Sequence, residues 1–420
     1  MQLLSLEEQM KENGSLQHLG YEDWLSVAQP QILEHIQNHV SEYYPELAAT
    51  QKLQVVLTEP PRRKLYTVLF DLAINNEHGI TEKSLIAKAY RPKPKRDANN
   101  DEHIYKCQYE FEMHKKVYDR FKDDSDGFRI IKPCDFMPEL LCLVIEKAEG
   151  KDLGRRIYTA KHRYLNFEVR KERLGRHFER AGKWLAAFHA GLADGTKTYF
   201  EAKAIEADLQ AKFDGLEKSG VLPKSLQAFK KQIFSISRSL DGKPMTQTYL
   251  HGDLKPCHIF VRRKVVMPID FGNMVVGIDY EEVGRMLAEI KLIYFGATPF
   301  KHSELDTFLQ NSFVKGYFGT EEWPPLVQFY YVSWLTTKWL RRLHKHKWLR
   351  NPIVKKSEFV VKALAVKDVV NKTYITPWFY ASMKKALDVV DKAKSNSKSL
   401  LLLLQGTLLP LILDAGEFLL

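Results

Sequence analysis

The chain has 420 residues, 45% of them hydrophobic and 12% aromatic, enough for the cores of two or three domains and too apolar for a disordered chain. A formal net charge of +11 favours anionic partners such as nucleotide phosphates, nucleic acid or an acidic membrane face, although a merely soluble basic protein carries the same total. Four cysteines, Cys107, Cys134, Cys142 and Cys257, form no CxxC pair, so neither a disulfide framework nor a zinc centre is suggested, which points to reducing surroundings. The opening MQLLSLEEQMKENGS has acids where a leader needs a basic stretch and an apolar core, so a cytoplasmic protein is expected.

Residues 1 to about 50 read as a polar-flanked helical extension, with Ile32, Ile36 and Val40 at helical spacing. Strand-like runs follow in KLQVVLTE, LYTVLFDLAI and KSLIAKAY, separated by PPRRK and NNEHG. After the basic RPKPKR comes a helix, YKCQYEFEMHKKVYDRF, and then another strand, LLCLVIEKA, ending in EGKDLG. The expectation for 51–150 is three strands, a helix and a strand, with a hinge near Glu146 to Gly150. From about residue 165 the pattern turns helical, with Phe178, Ala181, Leu185 and Phe188 on one face. A short strand pair, HIFVRRKVVMPID, interrupts it before helices resume. The architecture expected is α+β in two lobes, the second running from 151 to 395 and followed by an apolar tail over 396–420.

Two short stretches carry the chemistry: HGDLKPCH at 251–258 and DFG at 270–272. Phosphoryl transfer needs a base or orienting carboxylate near the attacking hydroxyl, cations on the phosphates and acids to hold a metal. Asp253 suits the first role, on a loop. Asp270 suits the metal, because the strand pair folds back and brings both carboxylates to one cleft; Gly272 is expected to let the backbone turn sharply after it. A carboxylate set between Ile269 and Phe271 is costly unless it is paired or metal-bound.

With these motifs the sequence resembles the protein-kinase-like superfamily, including aminoglycoside and choline phosphotransferases and lipopolysaccharide core kinases. His251, Gly252 and Asp253 match the small-molecule H-G-D form, Lys255 and Pro256 the DLKP of protein serine/threonine kinases, and Asp270 to Gly272 the D-F-G triplet. The resemblance implies a bilobal fold with a small antiparallel-sheet N-lobe carrying one helix and a larger helical C-lobe. It implies ATP and Mg2+ as cofactors, with Lys255 at the transferred phosphate and His251 bracing the loop. His258 stands where most relatives carry Asn, as it does in lipopolysaccharide core kinases; imidazole is a poorer ligand for hard magnesium than an amide oxygen, which leaves Mn2+ open. The resemblance further requires a strand lysine for the nucleotide phosphates, Lys88, with Ile86 two residues earlier on the same face to line an adenine pocket. A helix glutamate must pair with that lysine. Glu110, which begins the stripe Met113, Val117 and Phe121, is expected there rather than Glu112. The glycine-rich phosphate loop is missing: TEPPRRKLY holds no glycine, and Arg62, Arg63 and Lys64 read as an exposed basic turn.

The function expected is phosphorylation of a hydroxyl on a sugar, glycolipid or similar small molecule, with no nucleic-acid partner. A protein serine/threonine kinase and a non-catalytic scaffold with the kinase fold are the alternatives. KWLRRLHKHKWLR at 338–350 reads as a helix with its tryptophans inward and its lysines in water, or as a helix at an anionic membrane face. The apolar run 399–420 is interrupted by Gln405, Gly406 and Pro410 and falls short of a clean membrane span of about 20 residues. Glu282 is expected to brace the helical lobe. Oligomeric state is not legible.

Overall fold

A stripe of residues at every fourth position starts the first structural unit. Trp24, Ala28, Ile32, Ile36 and Val40 all lie on one side of helix α1 (Tyr21–Tyr43), and all are buried. The computed structural model describes residues 19–64, 66–91, 100–123, 127–162, 167–218, 224–295 and 305–345. Contacts divide the chain into two units. The first takes in 1–151, 251–253 and 258–274; the second takes in 152–250, 254–257 and 275–420.

In the first unit, strands β1 (Gln54–Leu57), β2 (Arg62–Arg63), β3 (Thr67–Asn75), β4 (Thr81–Tyr90), β5 (Pro133–Met137) and β6 (Cys142–Glu146) build one antiparallel sheet. Its order is β1-β3-β4-β6-β5, with β2 also on β3. The period of two along each strand separates two faces. Val68, Phe70, Leu72 and Ile74 of β3 and Leu85, Ala87 and Ala89 of β4 pack with the α1 stripe. Each valine, leucine, isoleucine or phenylalanine side chain so buried contributes about 1.5–3 kcal/mol. Ile86, Lys88 and Tyr90 point to the opposite face, served by helix α2 (Asn100–Phe121). Strands β7 (Ile259–Arg262) and β8 (Val265–Pro268) form the expected hairpin in this same unit.

Two elements differ from the sequence reading. Strand β5 was not expected: PCDFM is short, opens on proline and carries Asp135 in its middle, so it shows no alternation. It occupies the sheet edge, where proline is tolerated, and Asp135 is held by His35 and Tyr43 of α1 at 2.8 and 2.5 Å. The turn read as exposed and basic is partly structured. Arg62 and Arg63 pair with β3 as β2, Arg62 Nε donates to Asp71 at 2.9 Å, and Arg63 lies over the Tyr21 ring at 4.1 Å.

The second unit turns helical earlier than the expected residue 165. Helix α3 (Leu153–His162) starts where Asp152 accepts the Arg155 amide at 2.8 Å. Helices α4 (Phe167–Leu192), α5 (Ala202–Lys218), α6 (Lys224–Ser239), α7 (Asp279–Phe295), α8 (Leu305–Phe318) and α9 (Pro325–Lys345) follow. Phe178, Ala181, Leu185 and Phe188 of α4 are all fully buried. A three-stranded antiparallel sheet has Pro244–Leu250 between Lys197–Tyr199 and Val275–Ile278. Glu282 is sealed in this unit. It pairs with His189 Nε2 at 3.1 Å, while His189 Nδ1 meets the Tyr317 hydroxyl at 2.8 Å and Thr248 donates to the His189 carbonyl. Among the described residues no helix is long and apolar enough to cross a membrane. The tail 399–420 and the side chains of the basic aromatic run beyond Lys338 lie outside the described residues.

Candidate active site

Lys88 lies in the middle of β4, between β3 and β6, with Leu69 and Leu143 as its register partners. Its position on the α2 face follows from strand alternation, and the helix supplies the partner. Cys107, Glu110, His114, Val117 and Phe121 recur at three- and four-residue spacing on α2 and are all buried. Lys88 Nζ sits 2.8 Å from both Glu110 oxygens and 3.1 Å from Asp270 Oδ1. The Tyr90 hydroxyl, two residues along the same strand face, also donates to Glu110. Burial works against the Lys88 charge, but Asp270 and Glu110 more than offset it and hold the ammonium pKa well above its ordinary value.

The segment from His251 to Met274 delivers the other acids to this unit. Gly252 has φ +76 and its Cβ position lies 1.7 Å from the Asn273 carbonyl, so no other residue fits there. His251 Nε2 donates to the Ile269 carbonyl at 2.9 Å, tying the loop to the strand end before Asp270, and its ring packs 5.1 Å from that of Phe271. The left-handed residue is Asp270 itself, at φ 72, a conformation that costs a non-glycine residue about 1–2 kcal/mol. The chain does turn at Gly272, where the Met274 amide donates to the Phe271 carbonyl at 3.2 Å, and the glycine has a second use. A Cβ there would stand 3.0 Å from Glu110 Oε2, so its lack of a side chain admits Glu110 beside Asp270.

Asp253, His258 and Asp270 each offer one donor atom, all within 4.8 Å of one another. His258 Nδ1 lies 3.9 Å from Asp253 Oδ2, and its Nε2 lies 3.6 Å from Asp270 Oδ2. Burial pushes the Asp270 carboxyl up, but Lys88 and His258 pull it further down, leaving it below the usual carboxylate range and ionised. Asp270 and Glu110 bring two carboxylates to the one Lys88 ammonium. The excess of negative charge and the oxygen donors suit a divalent cation, and the imidazole widens the choice toward Mn2+.

Of the residues singled out from sequence, Lys88, Glu110, Asp253, His258 and Asp270 come together within the first unit. Ile86 is half-buried on the Lys88 face, against the cluster that includes Tyr90 and Leu143. Lys255 is half-buried and belongs to the second unit. Sequence reasoning missed Tyr90, which shares the two-residue repeat with Lys88, and His114, which takes the inward position expected of Met113. His114 Nε2 donates to the Ile131 carbonyl at 2.9 Å and its ring packs 5.2 Å from that of Phe271. Asp71, also missed, is buried on the same sheet face and takes Lys147 at 2.6 Å besides Arg62. Arg62 is thus committed to a buried acid.

No curated protein matches the chain. Among solved structures, a glucosamine kinase in complex with glucosamine, ADP and inorganic phosphate is 15% identical with a TM-score of 0.49, over 80% of this chain and 86% of that one. A choline/ethanolamine kinase family protein from Mesorhizobium loti is 13% identical with a TM-score of 0.46, over 82% and 96%. A macrolide 2'-phosphotransferase from Brachybacterium faecium is 10% identical with a TM-score of 0.39, over 76% and 97%. Likenesses of this size bear on neither substrate nor partner. The model of the phosphotransferase enzyme family matches residues 128–326, a stretch that holds the H-G-D and D-F-G motifs. Over residues 128–326, a little under half of the chain, the sequence is thus similar to the phosphotransferase enzyme family.

Proposed function

We propose that the protein is an ATP- and metal-dependent phosphotransferase acting on a hydroxyl of a sugar, glycolipid or similar small molecule. The observation that carries this reading is the gathering of Lys88, Glu110, Asp253, His258 and Asp270 in one unit from three separated stretches of chain. Lys88, oriented by Glu110, holds the nucleotide phosphates with a charge that its neighbours keep permanent near neutral pH. Asp253 orients the acceptor hydroxyl and takes its proton. Lys255 steadies the transferred phosphoryl group. Asp270 and His258 would hold Mg2+ or Mn2+, which when bound draws charge off the phosphates.

The small-molecule acceptor is supported by the H-G-D form and by the short stretch after Gly272, where a strand occupies Val275–Ile278 and α7 begins at Asp279. That leaves no room for the long activation segment of a protein serine/threonine kinase. Transfer of radiolabelled γ-phosphate from ATP to a panel of sugars, glycolipids and protein acceptors tests the reading, with Asp270→Ala as control. Transfer to a protein acceptor alone would replace the small-molecule assignment, and transfer undiminished by Asp270→Ala would sink the mechanism.

A further inference from the structure

We propose that Tyr90 is a positioning residue for nucleotide binding: its hydroxyl fixes Glu110, so that Lys88 can exchange one of its bonds for a phosphate oxygen and keep its aim. The proposal rests on the phosphate-binding role given to Lys88 above. In this structure the three N–H groups of the ammonium face three oxygens, Glu110 Oε1 and Oε2 at 2.8 Å and Asp270 Oδ1 at 3.1 Å. A phosphate enters by displacing one of them. Glu110 must stay in place while that happens, and Lys88 by itself cannot hold it.

Tyr90 supplies the second hold. Its hydroxyl donates to Glu110 Oε2, one of the oxygens that Lys88 also contacts. It lies two residues beyond Lys88 on β4, so strand alternation sends both side chains to the α2 face, where Lys88 Nζ stands 5.4 Å from the centre of the Tyr90 ring. Tyr90 is itself anchored. It is 8% exposed, and its amide donates to the Leu141 carbonyl at 2.9 Å. Burial first, and then Glu110, push the phenol pKa well up, so the group is a neutral donor that keeps its proton near neutral pH. On the side of Gly272, a Cβ would stand 3.0 Å from the same Oε2. The carboxylate is thus confined between a hydroxyl and a bare backbone, and all these residues belong to the first unit. A phenylalanine would fill the same volume without the cost of burying a hydroxyl. The tyrosine adds a bond to a charged acceptor.

The test is calorimetric titration of the full chain with Mg2+ and the β,γ-imido analogue of ATP, alongside urea unfolding. Tyr90→Phe should weaken binding of the analogue about tenfold, and Lys88→Ala at least as much. Tyr44→Phe is the reference for a purely structural bond. Tyr44 is 2% exposed among the residues packed with α1, and its hydroxyl donates to the Glu146 carboxylate at 3.1 Å. That substitution should cost similar stability and leave the affinity within about twofold of wild type. In a Glu110→Gln background, Tyr90→Phe should change the affinity by less than about twofold, because its effect runs through Glu110. Affinity unchanged by Tyr90→Phe but lost in Lys88→Ala would reduce Tyr90 to a strut between β4 and α2, overturning the proposal and leaving the role of Lys88 intact. A loss of undiminished size with Glu110→Gln in place would overturn it as well, since Tyr90 would then act by another route. No binding by the wild type, or wild-type affinity in Lys88→Ala, would sink the phosphate-binding role of Lys88 and the positioning role with it.

Discussion

Each unit holds an imidazole beside an acid, and the two settings differ in what is left over. In the second unit His189 and Glu282 are 4% and 1% exposed, and both ring nitrogens of His189 have partners in Tyr317 and Glu282. In the first unit the side chains of Asp253 and Asp270 keep 27% and 29% of their surface, and the acids outnumber the ammonium. A sealed network whose polar atoms are all answered holds a fold together. An open one with surplus charge has something to give to a ligand. The strained Asp270 backbone, at φ 72, belongs to the open cluster.

Substitution separates the two most sharply. Asp253→Asn should lower the rate of phosphoryl transfer by about 10³-fold, while urea unfolding stays unchanged or moves to higher denaturant because a partly exposed acid has been removed from an acid-rich cluster. Glu282→Ala should do the reverse. Leaving the buried His189 without its acceptor should cost roughly 2–4 kcal/mol of stability, with the turnover of the folded fraction within about twofold of wild type. If Asp253→Asn unfolds the chain, or Glu282→Ala abolishes turnover without loss of stability, the division between the clusters fails. Gly272→Ala should show a smaller, mixed effect. A methyl 3.0 Å from Glu110 Oε2 must push that carboxylate by a few tenths of an ångström and loosen its pair with Lys88, costing about 1–3 kcal/mol, and ATP affinity measured by calorimetry should drop with stability.

The parts of this molecule that could be read from sequence are those whose signal is local. The α4 stripe from Phe178 to Phe188, the alternation that sends Lys88 and Ile86 to one face, and the hairpin after His258 all follow from short-range periodicity. Glu110 could be placed on an inward face because Val117 and Phe121 lie on it as well. What escaped depends on distant partners. Asp135 gives β5 no strand-like pattern, yet it satisfies His35 and Tyr43, about a hundred positions upstream. Met113 stood in the expected inward stripe and His114 did not, because nothing near His114 in sequence reveals the Ile131 carbonyl it reaches. Gly272 does lie in the turn it invited, but the left-handed angle belongs to Asp270, and nothing near the glycine in sequence reveals how closely it meets Glu110.

The smallest effect concerns pH, and it draws the contrast at a finer scale. His114 is 1% exposed beside the open cluster. Burial lowers its pKa to about 4, against which its bond to the Ile131 carbonyl works only in part. A histidine depressed in the folded state takes up its proton more readily when unfolded, so it adds nothing above the ordinary value near 6.5 and subtracts stability as pH falls below it. The loss should run at about 1.4 kcal/mol per pH unit between 6.5 and about 4. His177, lowered to a similar value, contributes a second slope of the same sign. His114→Gln keeps a donor for the Ile131 carbonyl and removes the proton. Urea unfolding of this variant at pH 5 and pH 7 should show roughly half the wild-type difference. An equal difference in both proteins would mean that His114 is solvated in the native state and that the α2 face around Glu110 is looser than its packing indicates.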